Sequence, residues 1–269
     1  MAYNPSLLHE FWILGLGKYI YLLGLGLPQW AVVAACATVA GIAKVAFGVG
    51  AGVFLTPILA LVIEPKAAVG LMWPVMLVTD VSALQHHWGK WNRRCLTVLL
   101  PTVCLGVVLG SLFLAWAPSP VVKKVLGMIA LGYVVIQLTR MRAQGSKGVS
   151  GMPAWAGSLL GLVAGIFTAI AHSGGIISSI YLLGVGLPKN VFIATLVVTF
   201  FLGNLVKFPL YWETNILTAP MLLTGLALTP AMLLGGRLGM ALNRRVSVEQ
   251  FTFVVIAVVG LSGAVLTLT

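Results

Sequence analysis

The sequence predicts an all-α polytopic membrane protein built from two duplicated helical halves, and three observations carry that prediction. Of 269 residues, 60% are hydrophobic and only 8% are charged, against roughly 25% charged in a soluble domain. The apolar residues fall in blocks of the length that crosses a hydrocarbon core, about 20 residues at about 1.5 Å each. The second half repeats features of the first at an offset of 124 residues. With a mean hydropathy of +1.07, the chain has too few charges for an aqueous shell, so lipid is its solvent.

Taken in order, the chain begins with a segment, 1–29, in which Met1 to Glu10 lacks the basic region of a cleaved signal peptide. The stretch Phe11 to Leu27 is short, glycine-rich and carries Lys18, which favours an interfacial helix over a span. Eight apolar blocks follow, at 30–63, 67–86, 94–116, 121–140, 153–187, 190–211, 216–242 and 248–269. Breakers separate them, among them Pro65, Gly89, Pro118, Gly145 to Pro153, Pro188, Glu213 and Asn243. The first transmembrane repeat is placed at 30–145 and the second at 153–269.

The repeat rests on ordered matches. Ala40-Gly41-Ile42 returns as Ala164-Gly165-Ile166, Gly50 as Gly174 and Trp88 as Trp212. Asp80 falls opposite Asn204, and Leu109-Gly110 returns as Leu234-Gly235 at an offset of 125. Internal duplication with a site between the halves is a common plan of secondary transporters.

Blocks 30–63 and 153–187 are too long for one straight span, since the first would make a helix of about 50 Å across a core of about 30 Å. Each contains small residues near its middle, Gly48-Val49-Gly50-Ala51-Gly52 and Ser173-Gly174-Gly175. Broken or re-entrant helices are therefore expected at 48–52 and 172–176. Non-helical backbone at membrane depth is tolerated only against protein or a water-filled cavity, so both breaks are expected to line a cavity. Loop charges test the topology. A single crossing by each long block gives no bias, seven basic residues against six. If each long block crosses and turns back, the halves are inverted. The inside then carries nine basic residues (Lys90, Arg93, Arg94, Arg140, Arg142, Lys147, Lys189, Arg244 and Arg245) against four outside. That favours inversion, although a returning arm such as 53–63 is short for a full span.

Three basic residues fall inside apolar blocks, Lys44, Lys207 and Arg237, and Asp80 is the one carboxylate deep within a block. A charge at the bilayer centre costs about 2.5–3.5 kcal/mol on insertion scales and needs a partner or a wet pocket. Two readings stand side by side for Lys44 and Lys207. In one they attract an anion while Asp80 balances charge or relays a proton. In the other they form an internal ion pair with Asp80 that pins helices together. Asn204 precedes Lys207 by three residues, on the same helix face. Arg237 lies nearer a block end, where it snorkels.

The glycines Gly48, Gly50, Gly52, Gly174 and Gly175 also carry two readings. Free N–H groups at a helix start bind anions, and glycine is equally the ordinary residue of close helix packing in membranes. His172 and Ser173 flank the second break; the imidazole either serves an oxyanion or a proton, or satisfies a neighbouring carbonyl. His86 and His87 read as interface residues, and Trp88, Trp91, Trp155 and Trp212 as aromatic belts.

Other classes lack their signatures. The net charge of +11 sits in short loops, as positive-inside residues do, and does not mark nucleic-acid binding. Cys36, Cys95 and Cys104 are odd in number and unpaired in spacing, which argues against disulfides or zinc. The scattered carboxylates form no metal cluster, and no His-Glu-x-x-His or Walker loop is present. No cofactor, no metal and no enzymatic activity are expected.

The run Gly48-Val49-Gly50-Ala51-Gly52-Val53-Phe54-Leu55-Thr56-Pro57, the connector Pro65-Lys66-Ala67-Ala68, and in the second half Gly165, Ser173-Gly174-Gly175 and Leu187-Pro188-Lys189 together resemble the sulfite exporter TauE/SafE family, also called toluenesulfonate uptake permeases. Asn204-Leu205-Val206-Lys207-Phe208-Pro209-Leu210-Tyr211 is similar to that family's Asn-x-x-Lys segment. The resemblance runs from about Trp30 to the C-terminus. It departs at Ala51, His172 and Ile176, where further glycines are usual, and in carrying Lys44 within the first long block. It implies export or uptake of sulfite, sulfonates or related organic anions across the bacterial cytoplasmic membrane, driven by ion gradients. The departures point to a different anion or one with a larger organic tail. The expectation is a secondary transporter working by alternating access, as an exporter, with protons or sodium as coupling ion. A passive anion channel is the alternative, and a membrane scaffold or enzyme comes third.

Overall fold

Proline and glycine cut the apolar runs into helices, and the computed structural model describes them over residues 26–47, 52–142, 151–242 and 248–269. The segment 1–25, with its expected interfacial helix, lies outside the described residues, as do Gly48, Gly50 and Ala51. Eleven α-helices and no strands occur among the described residues: α1 Leu27–Phe47, α2 Gly52–Ala60, α3 Pro65–His87, α4 Arg93–Trp116, α5 Ser119–Arg142, α6 Ala154–Ala171, α7 Gly174–Val185, α8 Lys189–Glu213, α9 Ala219–Ala227, α10 Thr229–Leu242 and α11 Val248–Leu268. Six helical stretches among them are long and apolar enough to cross a membrane, the last running through α9 and α10.

Local chemistry sets the ends. The Glu64 carboxylate accepts from the Ala67 amide at 2.8 Å, and Pro65 fills the first helical position of α3. Asn92 caps α4 in the same way, its Oδ1 accepting from Cys95 N at 2.9 Å. At the other end of α4, the Lys66 ammonium donates to the Ala115 carbonyl at 3.2 Å. Gly186 closes α7 at φ 76°, a left-handed conformation that glycine adopts without steric cost.

The two long blocks fold back on themselves. Gln29 Nε2 donates to the Val62 carbonyl at 3.0 Å, so the return arm containing α2 ends beside the start of α1. The amides of Gly151 and Met152 donate to the Gly184 carbonyl at 2.9 and 3.3 Å, which places the end of α7 beside the start of α6. A Cβ on Gly174 would meet the Ala164 carbonyl oxygen at 2.1 Å, and one on Gly157 the Tyr181 ring at 2.5 Å. Helices α6 and α7 thus form a tight antiparallel hairpin. At nine and twelve residues, α2 and α7 are about 14 and 18 Å long, well short of a hydrocarbon core of about 30 Å.

Between the halves, helices cross at glycine. A Cβ on Gly41 of α1 would stand 2.0 Å from the Met232 oxygen of α10, and one on Gly235 of α10 would stand 2.0 Å from the Thr38 oxygen of α1. The same contact recurs between α4 and α6, where Gly106 faces the Leu162 oxygen at 2.1 Å and Gly165 faces the Val103 oxygen at 2.2 Å. Only backbone fits at these crossings. Gly41 and Gly165 are matched by the register read from the sequence, and so are Gly110 and Gly235; Gly110 packs on Ile166 and Ala169 of α6.

Elements in matched positions also touch. Trp73 of α3 stacks on Phe208 of α8 with ring centroids 5.3 Å apart, while Asp80 bonds Asn204 one turn earlier in α8. Gly127 of α5 lies against Gly263 and Thr267 of α11, and Val134 against Gly260. Both pairs therefore run antiparallel. Because α1 packs on α10 and α4 on α6, the segments 30–145 and 153–269 interlock along their length.

The main apolar core surrounds α2, with Val53, Phe54, Leu55 and Leu59 packed among Met72, Leu126 and Val259. Outward side chains are apolar too: Leu261 is 71% exposed and Phe253 66%. Such a surface suits lipid and would aggregate in water. Trp88, Trp116 and Trp155, also exposed, sit at helix ends as an interfacial belt requires. Arg237 is exposed near the end of α10, in keeping with snorkelling.

Candidate anion site at the second helix break

Helix α6 ends because the chain reverses at His172, whose φ of 52° and ψ of 30° lie in the left-handed region. That conformation costs a non-glycine residue about 1–2 kcal/mol. Three local bonds hold the reversal. His172 N donates to the Thr168 carbonyl at 3.1 Å, while Ser173 N and Ser173 Oγ both donate to Phe167 O, at 3.4 and 3.2 Å. A fourth comes from α8, where the Tyr211 hydroxyl donates to the Ala169 carbonyl, one of the acceptors left over at a helix end. From the opposite side α2 closes in: a Cβ on Gly52 would lie 2.2 Å from His172 Cβ and 2.7 Å from its carbonyl oxygen. The start of the first return arm therefore abuts the second break.

A polar chain crosses from α3 to α8 beside this reversal. Asn204 Nδ2 donates to Asp80 Oδ2 at 2.6 Å, and Lys207 Nζ donates to Asn204 Oδ1 at 2.8 Å. Asn204 and Lys207 share a helix face by their spacing of three. Trp73 Nε1 donates to the Asn204 carbonyl at 2.9 Å and fixes that turn of α8 against α3. Lys207 has no exposed surface, and Asp80 and Asn204 are each 4% exposed. A buried ammonium with three donors, one of them bonded to Asn204, demands further acceptors.

These side chains face a hollow of about 90 Å³ lined by Asp80, His172, Gly175, Asn204 and Lys207, with Met76, Leu196, Val197 and Phe200 among its apolar walls. Both ring nitrogens of His172 are buried, and neither has a hydrogen-bond partner among the described residues. The hollow therefore joins a buried cation, an amide, a carboxylate and an imidazole with no hydrogen-bond partner among the described residues. Such a set can take up a small oxyanion, whose oxygens accept from ammonium and imidazole alike.

Of the residues singled out in the sequence, the fold brings five to this hollow: Asp80, His172, Gly175, Asn204 and Lys207. Gly52 and Gly174 pack behind it, the latter against Ala164 and the Phe200 ring. Ser173 faces elsewhere, on the wall of a separate cavity of about 550 Å³ among α4, α5, α6 and α7. That larger space is walled by groups such as Leu109, Phe113, Met128 and Ile177; it offers no cation and suits hydrocarbon. Lys44 belongs to α1, but its side chain lies outside the described residues, as do Gly48 and Gly50. Trp73 and Phe200 escaped the sequence reading, and Tyr211 entered it only as the last residue of the family-like segment, with no role assigned. Helical spacing carried the signal for each. Tyr211 follows Lys207 by one turn, Phe200 precedes Asn204 by one turn, and Trp73 precedes Asp80 by two.

The family described as "Sulfite exporter TauE/SafE" matches residues 33–266. No curated protein and no solved structure matches the chain.

Proposed function

The chain belongs to the sulfite exporter TauE/SafE family, a family of membrane transporters, and from that premise we propose that it is a secondary transporter carrying a small sulfur-containing anion across the cytoplasmic membrane, as an exporter. The hollow at the second break is its anion site. Lys207 and His172 meet the anion's oxygens, Asn204 positions Lys207, and Asp80 balances charge. Gly174 and Gly175 let α7 begin close to the ligand. The observation that carries this reading is a wholly buried Lys207 beside an imidazole with no hydrogen-bond partner among the described residues.

Transport proceeds by alternating access between two inverted repeats. The antiparallel pairing of α3 with α8 and of α5 with α11, together with the recurrent glycine crossings, supports this reading. An arrangement related by a two-fold in the membrane plane puts the site where the halves meet.

The test is flux into liposomes across sulfite, sulfoacetate, taurine and thiosulfate, with and without a pH gradient. Lys207→Ala is expected to abolish anion-dependent thermal stabilisation, measured against the unliganded variant, while leaving the protein folded. Stabilisation equal to that of the unmodified chain would remove Lys207 from the site. Flux that follows the electrochemical gradient with no coupling would replace the carrier reading by a channel.

A further inference from the structure

We propose that Phe200 sets an upper limit on ligand size, so that the hollow takes a compact oxyanion bearing at most a short alkyl group and rejects arenesulfonates; this rests on the hollow being the anion site. The limit follows from volume first. At the share of about 30 Å³ that one water takes in the liquid, about 90 Å³ corresponds to roughly three waters. A three-oxygen sulfur head and a carbon or two fill that room. A benzene ring added to the same head overfills it.

The lining combines polar groups, Lys207, Asn204, His172, Asp80 and Thr168, with apolar ones, among them Phe200, Leu196 and Val197. Along α8, Phe200 lies one turn before Asn204, a rise of about 6 Å, so an anion held at Asn204 and Lys207 points any tail at the Phe200 ring. The ring is held there by the glycine pair that opens α7. Its Cε1 is 2.9 Å from where a Cβ on Gly174 would stand, and its Cε2 is 4.0 Å from that of Gly175. At Gly174 the ring rests on backbone that only glycine leaves accessible, and it cannot retreat toward that turn of α7. A short alkyl group meets apolar wall and is bound; a longer or aromatic one meets the ring edge. Forcing a ring into a packed site is expected to weaken binding at least about tenfold, equivalent to about 1.4 kcal/mol, which lies within the cost of overpacking.

The experiment measures thermal stabilisation of the purified full chain by methanesulfonate, ethanesulfonate, butanesulfonate and benzenesulfonate. The two shorter anions are expected to stabilise at concentrations at least tenfold below that needed for benzenesulfonate. Phe200→Ala should narrow or erase that gap, and Phe200→Leu, which keeps an apolar side chain for folding, should narrow it in part. Benzenesulfonate acting at the same concentration as methanesulfonate overturns the size limit while leaving the anion site intact. An unchanged gap in both variants overturns the role of Phe200. Stabilisation by none of the four, nor by sulfite, overturns the anion site itself and the size limit with it.

Discussion

Removing the charges at Asp80 and Lys207, singly and together, tests whether the polar chain between α3 and α8 acts as one unit. The two groups are joined through Asn204, at 2.6 Å to the carboxylate and 2.8 Å to the ammonium. A hydrogen bond to a charged group contributes about 1.5–3 kcal/mol. Lys207→Met breaks one such bond and removes the cation linked to the carboxylate through Asn204; Asp80→Asn removes the carboxylate linked to the cation. Stranding one buried charge costs about 3–5 kcal/mol, whereas replacing both charges by neutral groups of similar size is often close to neutral. Each single variant is therefore expected to lose about 3–5 kcal/mol, and the double variant to lose less than the sum, with a coupling of about 1–3 kcal/mol. Reversible unfolding in mixed detergent micelles, monitored by circular dichroism, gives the four free energies. Additivity within about 0.5 kcal/mol would mean that Asp80 and Lys207 do not sense each other, and the chain would not be a unit.

Three further outcomes follow from the packing and the charges. Gly41→Ala places a Cβ 2.0 Å from the Met232 oxygen, and the backbone shift it forces should cost at least about 1–3 kcal/mol, read as a lowered unfolding midpoint; Gly132→Ala, with nothing near its Cβ, should leave the midpoint unchanged. Tyr211→Phe removes the hydroxyl that meets the buried Ala169 carbonyl and should destabilise by about 1–3 kcal/mol, with faster amide exchange at His172 and Ser173 than in the unmodified chain. Anion flux in sealed liposomes should respond to an imposed pH or sodium gradient, and flux indifferent to both would refute charge-coupled transport.

Much of the fold was legible because lipid enforces it. A chain that must satisfy every backbone group internally has few options, so block length and breakers predicted the helices closely. Residues 153–187 divided at His172, within the expected break, because a glycine pair and a left-handed residue cannot extend α6. The shortness of α2 and α7 was visible only as a returning arm too small for a full span, since tight helix ends hide in an unbroken apolar run. The site was legible where charge made it so. Lys207 and Asp80 stand out against lipid, and Asn204 stood out through its match to Asp80. Phe200, Trp73 and Tyr211 did not, because an aromatic residue in an apolar helix carries no mark until its neighbour on another helix is known. Ser173 shows the converse. It neighbours His172 in sequence, but the reversal of the chain between them turns it to another wall.

Charge neutrality ties the site to its transport cycle. The ammonium of Lys207 and the carboxylate of Asp80 are joined through Asn204 in one buried chain, and opposite charges so placed offset each other in a low-dielectric interior. On the proposed reading, an arriving anion spoils that balance. With Asp80 ionised, the loaded hollow is negative by one and must admit a cation before it can close. On that reading the anion crosses with a positive charge, and the carboxylate beside Lys207 favours coupling when the site is full. A lysine without Asp80 would hold its anion as a neutral pair and have no reason to release it. The opposing carboxylate keeps affinity low enough for turnover, which is why a transporter, unlike a binding protein, gains from placing an acid across the cation from its anionic cargo.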